Sequence, residues 1–168
     1  MNNDNILWWD CETTGLSTYN DRIISISFIF NGKGRTFLIN PMIPIPEGAS
    51  RVHGIYDSDV KDYPPFSHYA KSIMSILNMA SSYGFYNGRN FDYPILYTEM
   101  LRCGYIVPQK PFIDVYEVCR ELFKSLKLKD IYRVLLNKNF KSHDSMEDIR
   151  ATVELHDHII KNFLDDRS

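Results

Sequence analysis

The sequence predicts an α/β fold built on one mixed β-sheet. Three strand-like segments come first, joined by short turns, and helix then alternates with strand before a helical C-terminal stretch. The 168 residues are 44% apolar and 24% charged, an ordinary globular composition that argues against disorder. A chain of this length buries well over half of its unfolded surface, so residues 1–168 are expected to form a single domain.

Each element has a local reason. Ile6-Leu7-Trp8-Trp9 is an apolar run that makes residues 6–11 a buried first strand. Strand alternation places both tryptophans in the core rather than on a ligand. From Arg22 to Asn31 the pattern alternates, with Ile24, Ile26, Phe28 and Phe30 on one face and Ile23, Ser25, Ser27 and Ile29 on the other. Asn31-Gly32-Lys33-Gly34 reads as a hairpin turn into a third strand, Arg35–Ile39. Pro41, Pro44, Pro46 and Gly48 predict a long ordered loop over Asn40–Asp57. Helices are predicted at Phe66–Ala80 and Asp92–Cys103, with a short strand, Tyr83–Tyr86, between them. Phe112–Asp114 is a fifth strand, and Val115–Phe123, Leu128–Leu136 and Asp144–Phe163 are helices.

Several classes of function are set aside at once. No apolar run reaches the ~20 residues that span a bilayer. The polar start Met1-Asn2-Asn3-Asp4-Asn5 resembles neither a signal peptide nor a transit peptide. Cys11, Cys103 and Cys119 are odd in number and lack metal-type spacing, so reduced thiols and a cytoplasmic location are expected. Net charge is −2, but its distribution is uneven. Lys124, Lys127, Lys129, Arg133, Lys138 and Lys141 face only one acid, Asp130, within 124–141. Such a segment is either a solvated helix face or a patch that holds a polyanion backbone.

The most informative stretch is Asp10-Cys11-Glu12-Thr13-Thr14-Gly15-Leu16. Residues i and i+2 of a strand share a face, so Asp10 and Glu12 project together while Cys11 points away. Two adjacent carboxylates at a core edge repel unless a cation lies between them, and hard oxygen ligands suit Mg²⁺ or Mn²⁺. Asp92 follows the loop Asn87-Gly88-Arg89-Asn90 and opens a helix, where it reads as an N-cap and can still face a cleft. Asp144 with Glu147 has the spacing of a capping box, leaving His143 on the preceding loop and Asp148 about one turn inside the helix. Histidine is the side chain whose unperturbed pKa lies near neutral, so His143 can serve as a base, or it is a surface histidine before a helix. His53, His68, His156 and His158 have no comparable setting; His156 and His158 are expected on exposed or partly buried helix faces.

Taken together, Asp10-x-Glu12, Asp92, Asp148 and His143 five residues before it resemble the four acids and histidine of the DEDDh exonucleases. This branch of the ribonuclease H-like superfamily includes the proofreading exonuclease subunit of bacterial DNA polymerase III and RNase T. Asp10-x-Glu12-Thr13-Thr14-Gly15-Leu16 resembles the first motif. Tyr86-Asn87-Gly88-Arg89-Asn90-Phe91-Asp92 resembles the second, in the longer form of exonuclease I-like proteins. Ser142-His143 followed by Asp148-Ile149-Arg150-Ala151-Thr152 resembles the third. Pro44–Ala49 leading to Val52-His53-Gly54-Ile55 resembles the loop after the third strand of relatives. The likeness covers about residues 6–160. A tyrosine branch carries its base four residues before the last acid; here that position is Asp144, which favours the histidine branch.

The resemblance implies a three-layer ribonuclease H-like fold with a mainly five-stranded mixed sheet. It implies a 3′→5′ exonuclease that releases nucleoside 5′-monophosphates from single-stranded or frayed 3′ ends of DNA, using two Mg²⁺ or Mn²⁺ ions. Asp10 would bridge the metals, Glu12 and Asp148 would complete one site, Asp92 would hold the other, and His143 would take a proton from the attacking water. Glu12 and the Thr13 backbone would meet the terminal 3′-OH and Leu16 would wedge against the terminal base, with Thr14, Gly15 and Asn87 also at the substrate. Cations of 124–141, with Lys61 or Arg89, would contact upstream phosphates. An exoribonuclease of the same mechanism remains open, as do a homodimer, a polymerase partner and action only as a proofreading subunit. A non-catalytic module would have lost a ligand, and none is missing.

Overall fold

In the computed structural model, residues 5–120, 123 and 127–164 are described. The sheet consists of β1 (Ile6–Thr13), β2 (Ile23–Phe30), β3 (Lys33–Leu38), β4 (Ser82–Phe85) and β5 (Phe112–Asp114). Their spatial order is β3-β2-β1-β4-β5. The first three strands pair antiparallel, and β4 and β5 add in parallel beside β1. This is the mixed five-stranded α/β arrangement expected from the sequence.

Strand alternation sorts the core into two halves. Leu7, Trp9 and Cys11 face a cluster with Phe28, Ile73, Leu77, Ile95 and Leu96. Those last four come from α3 (Phe66–Met79) and α4 (Asp92–Arg102). Ile6 and Trp8 face the opposite cluster, with Val115, Ile131, Ile149 and Leu155. That layer is α5 (Val115–Arg120), α6 (Leu128–Leu136) and α7 (Ser145–Ile159), the last continuing as a π-turn over Ile160–Leu164. Both tryptophans are buried, at 4% and 2% exposure, in agreement with their assignment to the core.

The expected loop over Asn40–Asp57 is instead partly helical. It holds α1 (Glu47–His53) and leads into α2 (Asp57–Val60). The prolines do not prevent this because they precede the helix: Pro46 is its N-cap, where no N–H is needed. Glu47 pairs with Arg51 one turn on, and Gly54, with φ of 75°, closes the C-terminus in the left-handed region. The predicted helix Val115–Phe123 is seen to Arg120; residues 121 and 122 of that prediction, and Lys124 of the basic segment, lie outside the described residues. No helix among the described residues is long and apolar enough to cross a membrane.

Two packing devices position the end of β1. Gly84 pairs with Trp8 across the parallel ladder, and a Cβ at Gly84 would lie 2.2 Å from the indole. The ring can therefore lie flat over β4. Across the antiparallel ladder, Asp10 and Glu12 face Ser27 and Ser25. Ser145, the first residue of α7, meets both serines through its hydroxyl, at 2.7 Å and 3.2 Å, and Ser27 also meets Thr36 at 2.7 Å. Small hydroxyl side chains let α7 approach the sheet closely where larger residues would hold it off.

Candidate active site

The acids arrive from three elements. Asp10 and Glu12 continue the face of Ile6 and Trp8, and the β1–β2 ladder is irregular between Glu12 and Thr13. Such irregularity bends a strand and re-aims its side chains. Asp148 approaches from α7, and one carboxylate oxygen of each of Asp10, Glu12 and Asp148 lies within 4.8 Å of the others. Asp92 comes from the opposite helical layer. It is the first residue of α4 rather than its cap, which is Phe91. Its Oδ1 accepts from both the N–H and the thiol of Cys11, each at 3.1 Å, so the carboxylate is tied to β1 instead of capping its own helix. Asp92 remains close enough to act electrostatically on Asp10 and Glu12.

His143 precedes α7 with φ of 65°, a left-handed conformation that histidine tolerates better than most residues. Its N–H donates to Asp148 Oδ2 at 2.8 Å, so the loop that carries the imidazole also orients the acid. Asp144 caps α7, accepting from the N–H groups of Met146 and Glu147. Glu147 pairs with Arg150 at 2.7 Å.

A cavity of about 710 Å³ opens beside this centre, lined by Glu12, Thr13, Thr14, Gly15, Leu16 and His143 and closed by α1 and Phe91. Leu16 stands at its rim, 88% exposed. Thr14 is buried, and its hydroxyl donates to Asp21 while accepting from the Arg22 N–H. Gly15 is required by the same brace, because a Cβ there would fall 2.6 Å from the Asp21 carboxylate. Asn87 does not line this cavity; it lies in a second one with Lys127, Lys129, His143 and Asp148. Neither Lys61 nor Arg89 lines either cavity among the described residues.

Sequence reasoning missed three supports. His53 lines the larger cavity, contrary to its dismissal above; its Nδ1 accepts from the Ile55 N–H, and its buried Nε2 has no hydrogen-bond partner among the described residues. The signal was its place at the end of a helix that proline content concealed. Asp21 braces the Thr13–Leu16 turn through Thr14 and the Ser17 N–H. Asp114 accepts from the N–H groups of Asn87, Arg89 and Tyr116, shaping the loop before Asp92. His156, expected on an exposed or partly buried face, is buried at 7% exposure with its ring centroid 4.9 Å from that of Trp8.

Electrostatics mark the centre as incomplete without positive charge. Burial, then the charges of Asp92, Asp148 and Glu12, hold the Asp10 carboxyl well above the usual range. Burial and then Asp148 push Glu12 up to about 8. Burial raises Asp148 to about 7 against the opposing His143 N–H, and Asp92 to about 6 against its Cys11 hydrogen bonds. The donors are hard carboxylate oxygens, the set that suits Mg²⁺ or Mn²⁺.

Comparison with known proteins identifies the family and the fold. The RNase T family model, described as exonuclease, matches residues 7–156. A PolC-type DNA polymerase III of Caldanaerobacter subterraneus subsp. tengcongensis is 30% identical over 165 residues, covering 88% of this chain and 11% of that protein. The exonuclease DPD1, chloroplastic/mitochondrial, of Arabidopsis thaliana is 31% identical over 131 residues, covering 70% of this chain and 41% of that one. The chain thus spans well under half the length of both. An E. coli exonuclease I–single-stranded DNA complex superposes with a TM-score of 0.85 at 19% identity, over 95% of this chain and 41% of the other. That likeness concerns the fold, which is ribonuclease H-like.

Proposed function

Because the chain belongs to the exonuclease family, we propose that it removes nucleotides from the 3′ end of single-stranded DNA, releasing nucleoside 5′-monophosphates. The observation that carries this reading is the convergence of Asp10, Glu12 and Asp148 within 4.8 Å at the edge of the 710 Å³ cavity. A cavity of that volume has room for one nucleotide. Asp10, Glu12, Asp148 and Asp92 would hold divalent cations, Mg²⁺ or Mn²⁺, which when bound supply Lewis acidity and lower the pKa of water. His143, on the wall of the cavity and hydrogen-bonded through its own N–H to Asp148, accepts the proton of the attacking water. Glu12 and the Thr13 backbone receive the terminal 3′-OH. Leu16 at the rim packs against the terminal base and keeps it splayed from a partner strand. Thr14 and Gly15 act indirectly, by holding this turn against Asp21.

The test is stepwise shortening of 5′-labelled DNA and RNA oligonucleotides with Mg²⁺ or Mn²⁺. Ladders shortened from the 3′ end are expected, with Asp10→Ala and His143→Ala each lowering the rate at least 100-fold. Undiminished cleavage by Asp10→Ala would overturn the assignment. Equal cleavage of a 3′-phosphorylated strand would overturn the terminal-hydroxyl pocket. Faster loss of RNA than of DNA would make the enzyme an exoribonuclease of the same mechanism. The matches to polymerase III proteins support a second setting, in which the same site edits strands presented by a polymerase.

A further inference from the structure

Helix α4 carries two buried carboxylates on one face. Asp92 and Glu99 are seven residues apart, which is two helical turns and about 10 Å along the axis. Asp92 is tied to Cys11 of β1, and Glu99 accepts from the Ile23 N–H at the start of β2, at 3.2 Å. Their surroundings are opposite. Asp92 lies near the carboxyls of Asp10 and Glu12, whereas Glu99, 1% exposed, is met by two arginines. Arg22 Nε donates to its Oε1 at 2.7 Å and Nη2 to its Oε2 at 3.1 Å, with Arg102 at 3.6 Å. We propose that Glu99 is a positioning residue for the 3′-terminal nucleotide: through Arg22 and Arg102 it fixes the Thr14–Arg22 turn relative to the acids. The inference rests on the exonuclease reading of the site.

The route from Glu99 to the cavity is a chain of direct contacts. The Arg22 N–H donates to the Thr14 hydroxyl at 3.0 Å, and the Arg22 carbonyl accepts from the Thr14 N–H at 2.9 Å. Arg102 donates to the Tyr19 carbonyl and, at 3.5 Å, to that of Asp21. Asp21 in turn accepts from the Thr14 hydroxyl and the Ser17 N–H, each at 2.8 Å. The turn is thus gripped from α4, while Leu16 at its tip stands exposed on the cavity rim. A side chain so exposed has little packing of its own, so the backbone beneath it sets its place. Stability alone gives no reason for charge here, because apolar residues of similar volume often match a buried ion pair. What the pair supplies is direction. The guanidinium fork meets both carboxylate oxygens and fixes angle as well as distance. Order present before binding lowers the ordering cost at binding, and because Asp92 begins the same helix, turn and acid keep one spacing.

The test separates alignment from stability. Arg22→Met/Glu99→Gln removes both charges, roughly keeps the volume and leaves an acceptor for the Ile23 N–H. Its melting temperature is expected within about 5 °C of wild type. Amide exchange followed by NMR should quicken about tenfold at Thr14, Ser17 and Arg22 and stay unchanged along the β1–β2 ladder. KM for a 5′-labelled single-stranded oligonucleotide should rise about tenfold while kcat falls less than about threefold, since the acids are untouched. Arg22→Lys, which keeps the charge without the fork, should lie between the two proteins in both KM and exchange. An unchanged KM despite faster exchange in the turn would overturn the proposal. So would a melting temperature lower by more than about 10 °C with faster exchange throughout the sheet, the mark of a purely structural pair. Faster exchange confined to the turn, in a protein whose wild type cleaves no oligonucleotide, would instead sink the exonuclease reading and leave the grip on the turn standing.

Discussion

Glu12 illustrates what one position carries. It sits where the β1–β2 ladder breaks, faces Ser25 across the sheet, and shares its pocket with Asp10 and Asp148. Its carboxyl, raised to about 8, binds a proton more tightly in the folded chain than in the unfolded one. The stability this contributes is fully present below the unfolded value near 4.5 and is lost as pH rises through about 8. Asp92 and Asp148 act in the same direction through about 6 and about 7. Metal-free protein is therefore expected to melt at lower temperature at pH 9 than at pH 6. Glu12→Gln, which mimics the protonated acid, should raise the metal-free melting temperature at pH 9 by several degrees and do little at pH 5. Calorimetry in EDTA reads this directly, and a gain that is equal at both pH values would contradict the electrostatic account.

At the scale of elements, α7 is held by its first residue as much as by its apolar face. Ser145 meets Ser25 and Ser27 in a buried hydroxyl cluster, and Asp148 lies one turn further on. Ser145→Ala should cost about 1–2 kcal/mol in urea denaturation, because Ser25 loses its hydroxyl partner in the core. It should also slow cleavage, since the helix that presents Asp148 loses its anchor; full activity at normal Mg²⁺ affinity would show that the anchor is dispensable. Gly84→Ala is a harsher change. Its methyl would meet Trp8 at 2.2 Å, and that buried indole already packs against His156, with ring centroids 4.9 Å apart. A loss of about 3 kcal/mol or more, or failure to fold, is expected from overpacking of this kind. Sequence patterns foretold the partners here only in part: Ser25 and Ser27 were legible as one face of a strand, but not that a serine from α7 would meet them.

For the whole molecule, saturating divalent cation should reverse the pH trend, raising the melting temperature most at high pH, where all four carboxyls are ionised. A cation that left the melting curve unmoved at pH 8 would argue against the carboxylates as ligands. Much of the architecture was legible in advance. Alternation along residues 6–12 and 23–30 is a local property, so it determined which strand face each side chain takes and placed Asp10 with Glu12. Caps and turns are local too, which is why Asp144 caps α7, near where its spacing placed the helix start. The long loop failed for a complementary reason: proline was read as a breaker where it served as a helix start.

What sequence alone determined, then, was the set of faces and the chemistry of the residues on them. Only tertiary structure decided which faces meet. Asp92 reaches Cys11 across 81 residues of chain, and Ser145 meets Ser27 across 118. His53 enters the cavity wall from a helix the pattern had concealed. Such meetings depend on how helical layers cross over the sheet, and no short-range periodicity encodes them. The Asp10-x-Glu12 pair was therefore visible as a likeness of charge on one strand face, while its third partner and its two flanking cavities exist only in the folded chain.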